Sequence, residues 1–471
     1  MIGHLKWVTL GMTLVCTTAC HSDEEAKTAR ATARSLDRLA DSQVRVVWCQ
    51  DQDPRGTDLF AESERFQLMG FDSADRKGER PLCPQPGNYS RPLLSPSGWQ
   101  VIFSDRNQRH FYALTWDGKT LTDLGEGFAM EAWIDPATGV EWIYFGDSPR
   151  KVTRQDVPAY SSISRCRLDQ PSIREKIWDA TPLMQMTENN FLLSADGKRA
   201  SLVTPQICGV AALDENIWKP YGKGCWPAVA PDNSYRYWLF EGGHRAIHFF
   251  DATGSKIGRV PLNTGEDMDG LEVFHPRWSN HPRLFAVAGP LRIPGGGPGV
   301  EIYVGRFAAD YSSVEKWVRI SHNDKADFFP DVWVSRIPII PPASVPSPPP
   351  PVAAPPSNTV SSQSSLIVKA RLIATSKIPP PPSIAPYRRA LIGNRYEVIE
   401  VLRGSLSDKE FIGAHWGIRD AQILPQAQRE KGRIYTLHLI SIDDDDTLKS
   451  ERLIVDGQAE DLLLFYDSAE P

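Results

Sequence analysis

Along most of this chain, short runs in which apolar and polar residues alternate are cut by clusters of Gly, Asp, Asn, Ser and Pro. That pattern predicts strands joined by tight turns. Four stretches repeat it closely: Leu94 to Asp105 (LSPSGWQVIFSD), Leu193 to Thr204 (LSADGKRASLVT), Val229 to Phe240 (VAPDNSYRYWLF) and Pro276 to Gly289 (PRWSNHPRLFAVAG). Their period of roughly 40 to 50 residues falls in the range of propeller blades. Blades are expected from Arg91 to Gly125, Ala129 to Asp179, Met186 to Lys223, Cys225 to Asn263 and His275 to Asn323. What remains is Phe328 to Val334 at one end and Val44 to Gln50 with Phe66 to Asp72 at the other. Joined, these strands complete a sixth blade from both termini, leaving few exposed edges. The expectation is all-β, with a six-bladed propeller over 43–336.

The alternation breaks at a linker, 337–365. Between Pro338 and Pro356 ten of nineteen residues are proline, and a Ser-rich stretch follows to Ser365. Such a composition favours an extended polyproline II spacer over a packed core. Beyond it, 366–471 returns to short alternating runs, a small β barrel or sandwich. Within it YEVIEVLRG (Tyr396 to Gly404) and its return strand resemble the netrin or OB-like barrels.

At the start, Lys6, the apolar run Trp7 to Val15 and Thr17-Thr18-Ala19-Cys20 resemble a bacterial lipoprotein signal. The resemblance implies that the signal, 1–20, is cut before Cys20, leaving its thiol to carry lipid. His21 in place of Asp, by the same likeness, directs the protein to the outer membrane, facing the periplasm. The run is too short to span a bilayer. Residues 21–42, charged and rich in Ala, read as a tether, either helical or disordered.

The turns Ser95-Pro96-Ser97-Gly98, Ser194-Ala195-Asp196-Gly197 and Ala230-Pro231-Asp232-Asn233 resemble the SPDG turn of TolB-type, WD40-like (PD40) propellers, and Asn280-His281-Pro282 departs from it. GCWPAVAPDNSYRYWLFEGGHR, HPRWSNHPRLF and HNDKADFFPDVWV are similar to phrases in bacterial envelope proteins with the same two-part layout. The likeness implies a fold, and one fold hosts many functions.

Composition adds exclusions. At 41% hydrophobic, 23% charged and a net charge of −6, the chain has no basic excess to attract nucleic acid. The loop Pro294 to Gly299 (PGGGPG) lacks the strand and helix of a nucleotide site. Outside the signal five cysteines remain, in an oxidising compartment. Cys49 with Cys83 and Cys208 with Cys225 are the candidate disulfides.

In a propeller the loops entering each blade crowd one face around the channel mouth. This placement gathers Arg91, Glu131, Asn190, Trp226, Arg245, Arg277 and Asp327 as a ligand-binding set. Arginine forks grip carboxylates, and Trp faces suit sugar rings. The first reading is therefore a lipid-anchored binding or scaffolding module for an envelope protein or acidic polysaccharide, without a cofactor. The alternative starts from His275-Pro276-Arg277-Trp278-Ser279, which is similar to a pattern in oligogalacturonate lyases. That resemblance implies a divalent Mn, Zn or Fe on His244, His275 and His322 and a metal-dependent lyase or hydrolase of acidic oligosaccharides. Other templates fail. There is no Gly-x-Ser-x-Gly elbow, no cysteine in a nucleophile setting, and Asp267, Asp269 and Glu272 read as an exposed loop.

Overall fold

The computed structural model describes residues 8–53, 64–151, 158–179, 184–185, 191–203, 208–222, 224–292, 297–335, 366–384, 389–406, 408–442, 448, 451–456 and 462–468. The proline run, Asn190 and the acidic run 443–446 lie outside them.

Six antiparallel sheets make the propeller. The first blade comprises Tyr89–Leu94, Gln100–Asp105, His110–Thr115 and Leu121–Glu126, and the fourth and fifth repeat the order inner to outer. In the third blade the inner position is marked by the bridge between Leu193 and Ala200. The closing blade takes its innermost strand, Ala326–Val334, from the C-terminal side and pairs it with Val44–Asp51. Phe66–Asp72 and the short Arg80–Pro81 complete it. The mixed-termini closure expected from the sequence is therefore present.

Large aromatic side chains fill the space between sheets. Trp238 of the fourth blade stacks on Trp278 of the fifth at 4.3 Å between ring centroids, and Phe285 stacks on Phe307 at 4.1 Å. The SPDG-like turns hold the opposite face. Ser95 and Ser194 use their hydroxyls to accept from the backbone N–H of Gln100 and Arg199, at 3.1 and 3.0 Å. Gly98 has φ +75°, and a Cβ there would meet the Trp333 ring at 2.6 Å. Its glycine is thus required both by backbone angle and by close approach.

The N-terminal segment is more than a tether. It belongs to a helix, Val8–Ala40, whose Ala29, Thr32, Ala33, Leu36, Leu39 and Ala40 are buried. Spacings of three and four put these residues on one face. That face packs on the outer strand of the fifth blade and on Val44–Asp51. Thr32 Oγ1 lies 3.4 Å from His322 Nε2, and Arg306 donates to the Leu39 carbonyl at 2.9 Å. Among the described residues no helix is long and apolar enough to cross a membrane.

The C-terminal unit is a closed barrel of five strands. Leu366–Ala374 pairs with Ala390–Arg403, which pairs with Glu410–Arg419; Leu464–Asp467 and Ile434–Ser441 lead back to the first. Val368, Leu372, Tyr396, Phe411, Leu437 and Leu439 fill it.

Candidate functional site

Four inner strands carry the same local irregularity. In each, one residue with φ near +50° precedes a proline: Arg91 (52°), Trp226 (48°), His275 (54°) and Phe329 (55°). At each place two residues stand opposite one on the neighbouring strand, as where Phe274 pairs with Ala288 and Arg277 with Ala286. The same skip occurs between Ser90 and Leu93, between Cys225 and Ala228, and between Phe328 and Asp331. These are β-bulges, which bend a strand and re-aim its side chains. Proline fits there because the bulged residues leave the ladder, where its missing N–H removes no bond. Left-handed backbone at a non-glycine residue costs about 1–2 kcal/mol. Such strain persists where the surrounding fold imposes it, and it clusters at functional sites.

The four bulges surround a cleft of about 240 Å³. Arg91, Trp226, His275, Arg277 and Phe329 line it, with the prolines after Arg91, His275 and Phe329. This space includes open solvent, and the enclosed part would hold about one water molecule. Trp226 meets His275 edge to face at 4.8 Å, and His275 stacks on Phe329 at 4.0 Å. His275 Nδ1 accepts from the Phe329 N–H at 3.2 Å, which places the proton of a neutral ring on Nε2.

Arg277 bolts the throat. Its Nη2 donates to Glu131 Oε2 at 2.9 Å and its Nε to Asp331 Oδ1 at 2.5 Å. Glu131 belongs to the second blade and Arg277 to the fifth, so in a ring of six the pair bridges opposite sides of the channel. Asp331 Oδ2 also accepts from the Leu94 N–H at 2.7 Å, tying in the first blade. Arg277 is 6% exposed, and among the described residues its Nη1 has no hydrogen-bond partner. Burial pushes the Glu131 carboxyl up to about 7, although Arg277 opposes the shift.

Asp327 is placed differently from expectation. It is fully buried and accepts from Trp48 Nε1 at 2.8 Å, Gln50 Nε2 at 3.1 Å and Asn323 Nδ2 at 2.9 Å. Asn323 also reaches Glu79 and, through its backbone N–H, Glu301. Burial, then the Glu301 and Glu79 charges, raise the Asp327 carboxyl to about 8. It faces inward because these donors hold it there. Arg245, expected to face ligand, donates instead to the Val455 carbonyl of the C-terminal barrel at 3.2 Å.

The three histidines are not brought together. His322 meets Thr32 of the helix, and His275 lies in the cleft. His244 is fully buried, stacked on Phe240, with Nε2 3.6 Å from Cys225 Sγ and Nδ1 3.9 Å from Glu272 Oε2. Burial, then the Arg452 charge, holds its imidazole well below the ordinary value. Among the described residues no group of three His, Cys, Asp or Glu side chains could hold a metal ion. The loop carboxylates are engaged too: Asp269 with Arg292 at 2.6 Å, Asp267 with Arg319 at 3.6 Å and Glu272 with Arg452 at 2.6 Å. Cys49, Cys83, Cys166 and Cys208 are free thiols here, so neither candidate disulfide is formed. Cys49 and Cys83 both approach Tyr89, and Cys208 Sγ donates to the carbonyl of Gly224, next to Cys225, at 3.0 Å.

The bulges had a legible signal that sequence reading missed. Pro92, Pro227 and Pro276 each stand three residues before the small residue opening the turn, at Ser95, Ala230 and Ser279.

No protein-family model and no curated protein matches this sequence. Solved structures similar to it include a protein assigned as TolB from Agrobacterium tumefaciens, at 13% identity and a TM-score of 0.36 over 62% of this chain and 97% of that one. A protein of unknown function from Bacteroides caccae aligns at 10% identity and 0.36, covering 62% and 98%. A chain of a nidogen/laminin complex aligns at 8% and 0.39, covering 62% and 99%.

Proposed function

We propose that this protein is a binding module of the cell envelope, anchored through lipid on Cys20, whose propeller takes an acidic group of its partner into the channel mouth. The partner is an envelope protein or an acidic polysaccharide. The observation that carries this reading is the Nη1 of Arg277, buried in the wall of the cleft and without a partner among the described residues. A buried donor without an acceptor costs about 1–3 kcal/mol, so a group supplying one gains that much on binding. The enclosed space suits a single carboxylate tip, not a sugar ring. The rest of a ligand would lie on the loops above, against Trp226 and His275.

Calorimetric titration of the mature chain with a glutamate-rich peptide and with an oligogalacturonate tests the reading. Arg277→Lys keeps one charge between Glu131 and Asp331 and loses the free N–H. Binding of either ligand to the wild type, weakened about tenfold or more in Arg277→Lys, is expected. Equal affinities in the two proteins would remove Arg277 from recognition.

A further inference from the structure

Among the described residues, the propeller and the barrel meet at one short piece of chain. Leu453 N–H donates to the Gly242 carbonyl at 3.2 Å, and Arg245 Nη2 donates to the Val455 carbonyl at 3.2 Å. Between them Arg452 donates to Glu272 at 2.6 Å and to the Gly242 carbonyl at 3.4 Å, with its guanidinium 6.0 Å from the Phe274 ring. Gly242 and Arg245 lie in a loop of the fourth blade, and Glu272 in the loop that enters the fifth. Both loops belong to the mouth face, and Phe274 immediately precedes the cleft residue His275.

Two features make this contact a recognition surface and not a continuation of the core. Every hydrophobic cluster among the described residues lies wholly in the propeller with its helix or wholly in the barrel. The propeller groups also match the backbone of an extended strand, with a carbonyl for its N–H, a guanidinium for its carbonyl and a carboxylate for its arginine. That is strand capture by main-chain bonds, with specificity from one side chain.

We propose that Gly242, Arg245 and Glu272 form a docking site for an extended arginine-bearing strand, and that the barrel segment Arg452 to Val455 is its resident, releasable occupant. The barrel thereby covers one side of the channel mouth when docked and uncovers it when released. A polar contact without a shared core separates at modest cost, while the Pro-rich connection keeps the released barrel at high effective concentration.

Small-angle scattering of the full mature chain tests this, with circular dichroism as the check on folding. Arg452→Glu should enlarge the radius of gyration and the maximum dimension, and Arg452→Glu with Glu272→Arg should bring them back towards the wild type. Raising the salt of the wild type from 0.05 to roughly 1 M should expand it in the same direction, because the ion pair is screened. Should the single variant be misfolded, the salt series decides by itself. Dimensions unchanged in a folded Arg452→Glu protein, or in salt, would overturn the proposal, as would a stable dimer in which the barrel docks on a second copy.

Discussion

Two sets of buried carboxylates lie beside the channel, and they are neutralised in different ways. Glu131 and Asp331 share the guanidinium of Arg277, whose Nη1 is left without a partner among the described residues. Asp327, Glu79 and Glu301 gather around Asn323 and are satisfied by amides, an indole and a hydroxyl, with Arg319 reaching only Glu301. The first set holds two carboxylates on one guanidinium, with the Glu131 carboxyl raised to about 7, and keeps a donor to spare, which equips it to receive an anion once Glu131 takes a proton. The second has excess negative charge in a dry place and holds a proton instead. Burial is common to both, so what separates a candidate binding site from a structural network here is the single arginine.

Removing that arginine should give the largest effect. Arg277→Ala leaves Glu131 and Asp331 buried without a cation and should destabilise the propeller by about 3–5 kcal/mol in urea unfolding. Adding Glu131→Gln should recover part of the loss. Recovery of nothing would mean that Arg277 acts through packing alone.

The second set should reveal itself in the pH dependence of stability. The Asp327 carboxyl is raised in the folded protein, so the folded state holds a proton that the unfolded chain gives up near pH 4. Its contribution is fully present below about pH 4 and is lost as pH rises through about 8. Asp327→Asn should flatten the decline of melting temperature between pH 5 and 9, by the equivalent of about 1 kcal/mol or more. An unchanged slope would place the proton elsewhere in the cluster.

The Glu131 carboxyl, raised to about 7, gives a smaller signature of the same sign in binding. Below pH 7 it takes a proton and frees Arg277 for an incoming carboxylate. Affinity for an acidic peptide should therefore rise severalfold from pH 8 to pH 6 in the wild type, and Glu131→Gln should be insensitive over that range. The smallest change is expected far from both sets. Ser95→Ala removes the hydroxyl that accepts from the Gln100 N–H and meets the Ser97 hydroxyl in the turn on the opposite face, and should cost about 1 kcal/mol without altering anion binding.

The blades were legible because each repeat couples a turn of fixed chemistry to a run of fixed period. Gly98 and Gly197 need positive φ, and that requirement is written in the residue itself. Closure by both termini followed from counting unpaired strands. A place beside the cleft was legible for Arg91, Trp226 and Arg277, whose position on inner strands follows from blade boundaries. The partners were not. Arg277 meets Glu131 across the ring, a pairing between positions 146 residues apart that no local pattern encodes. Asp327 differs from Asp331 by four positions on one strand, yet one faces a tryptophan and two amides and the other an arginine. Arg245 was drawn from the mouth by a barrel that the sequence presents only as a separate unit, and His322 by a helix that reads as a tether.

The most direct test of the central claim is an anomalous-scattering crystal structure of the protein from Cys20 onward grown in bromide. Bromide within hydrogen-bonding distance of Arg277 Nη1, between Trp226 and His275, is the predicted result. Bromide bound elsewhere, with Nη1 satisfied by a protein oxygen or an ordered water, would contradict the assignment of the throat as an anion site.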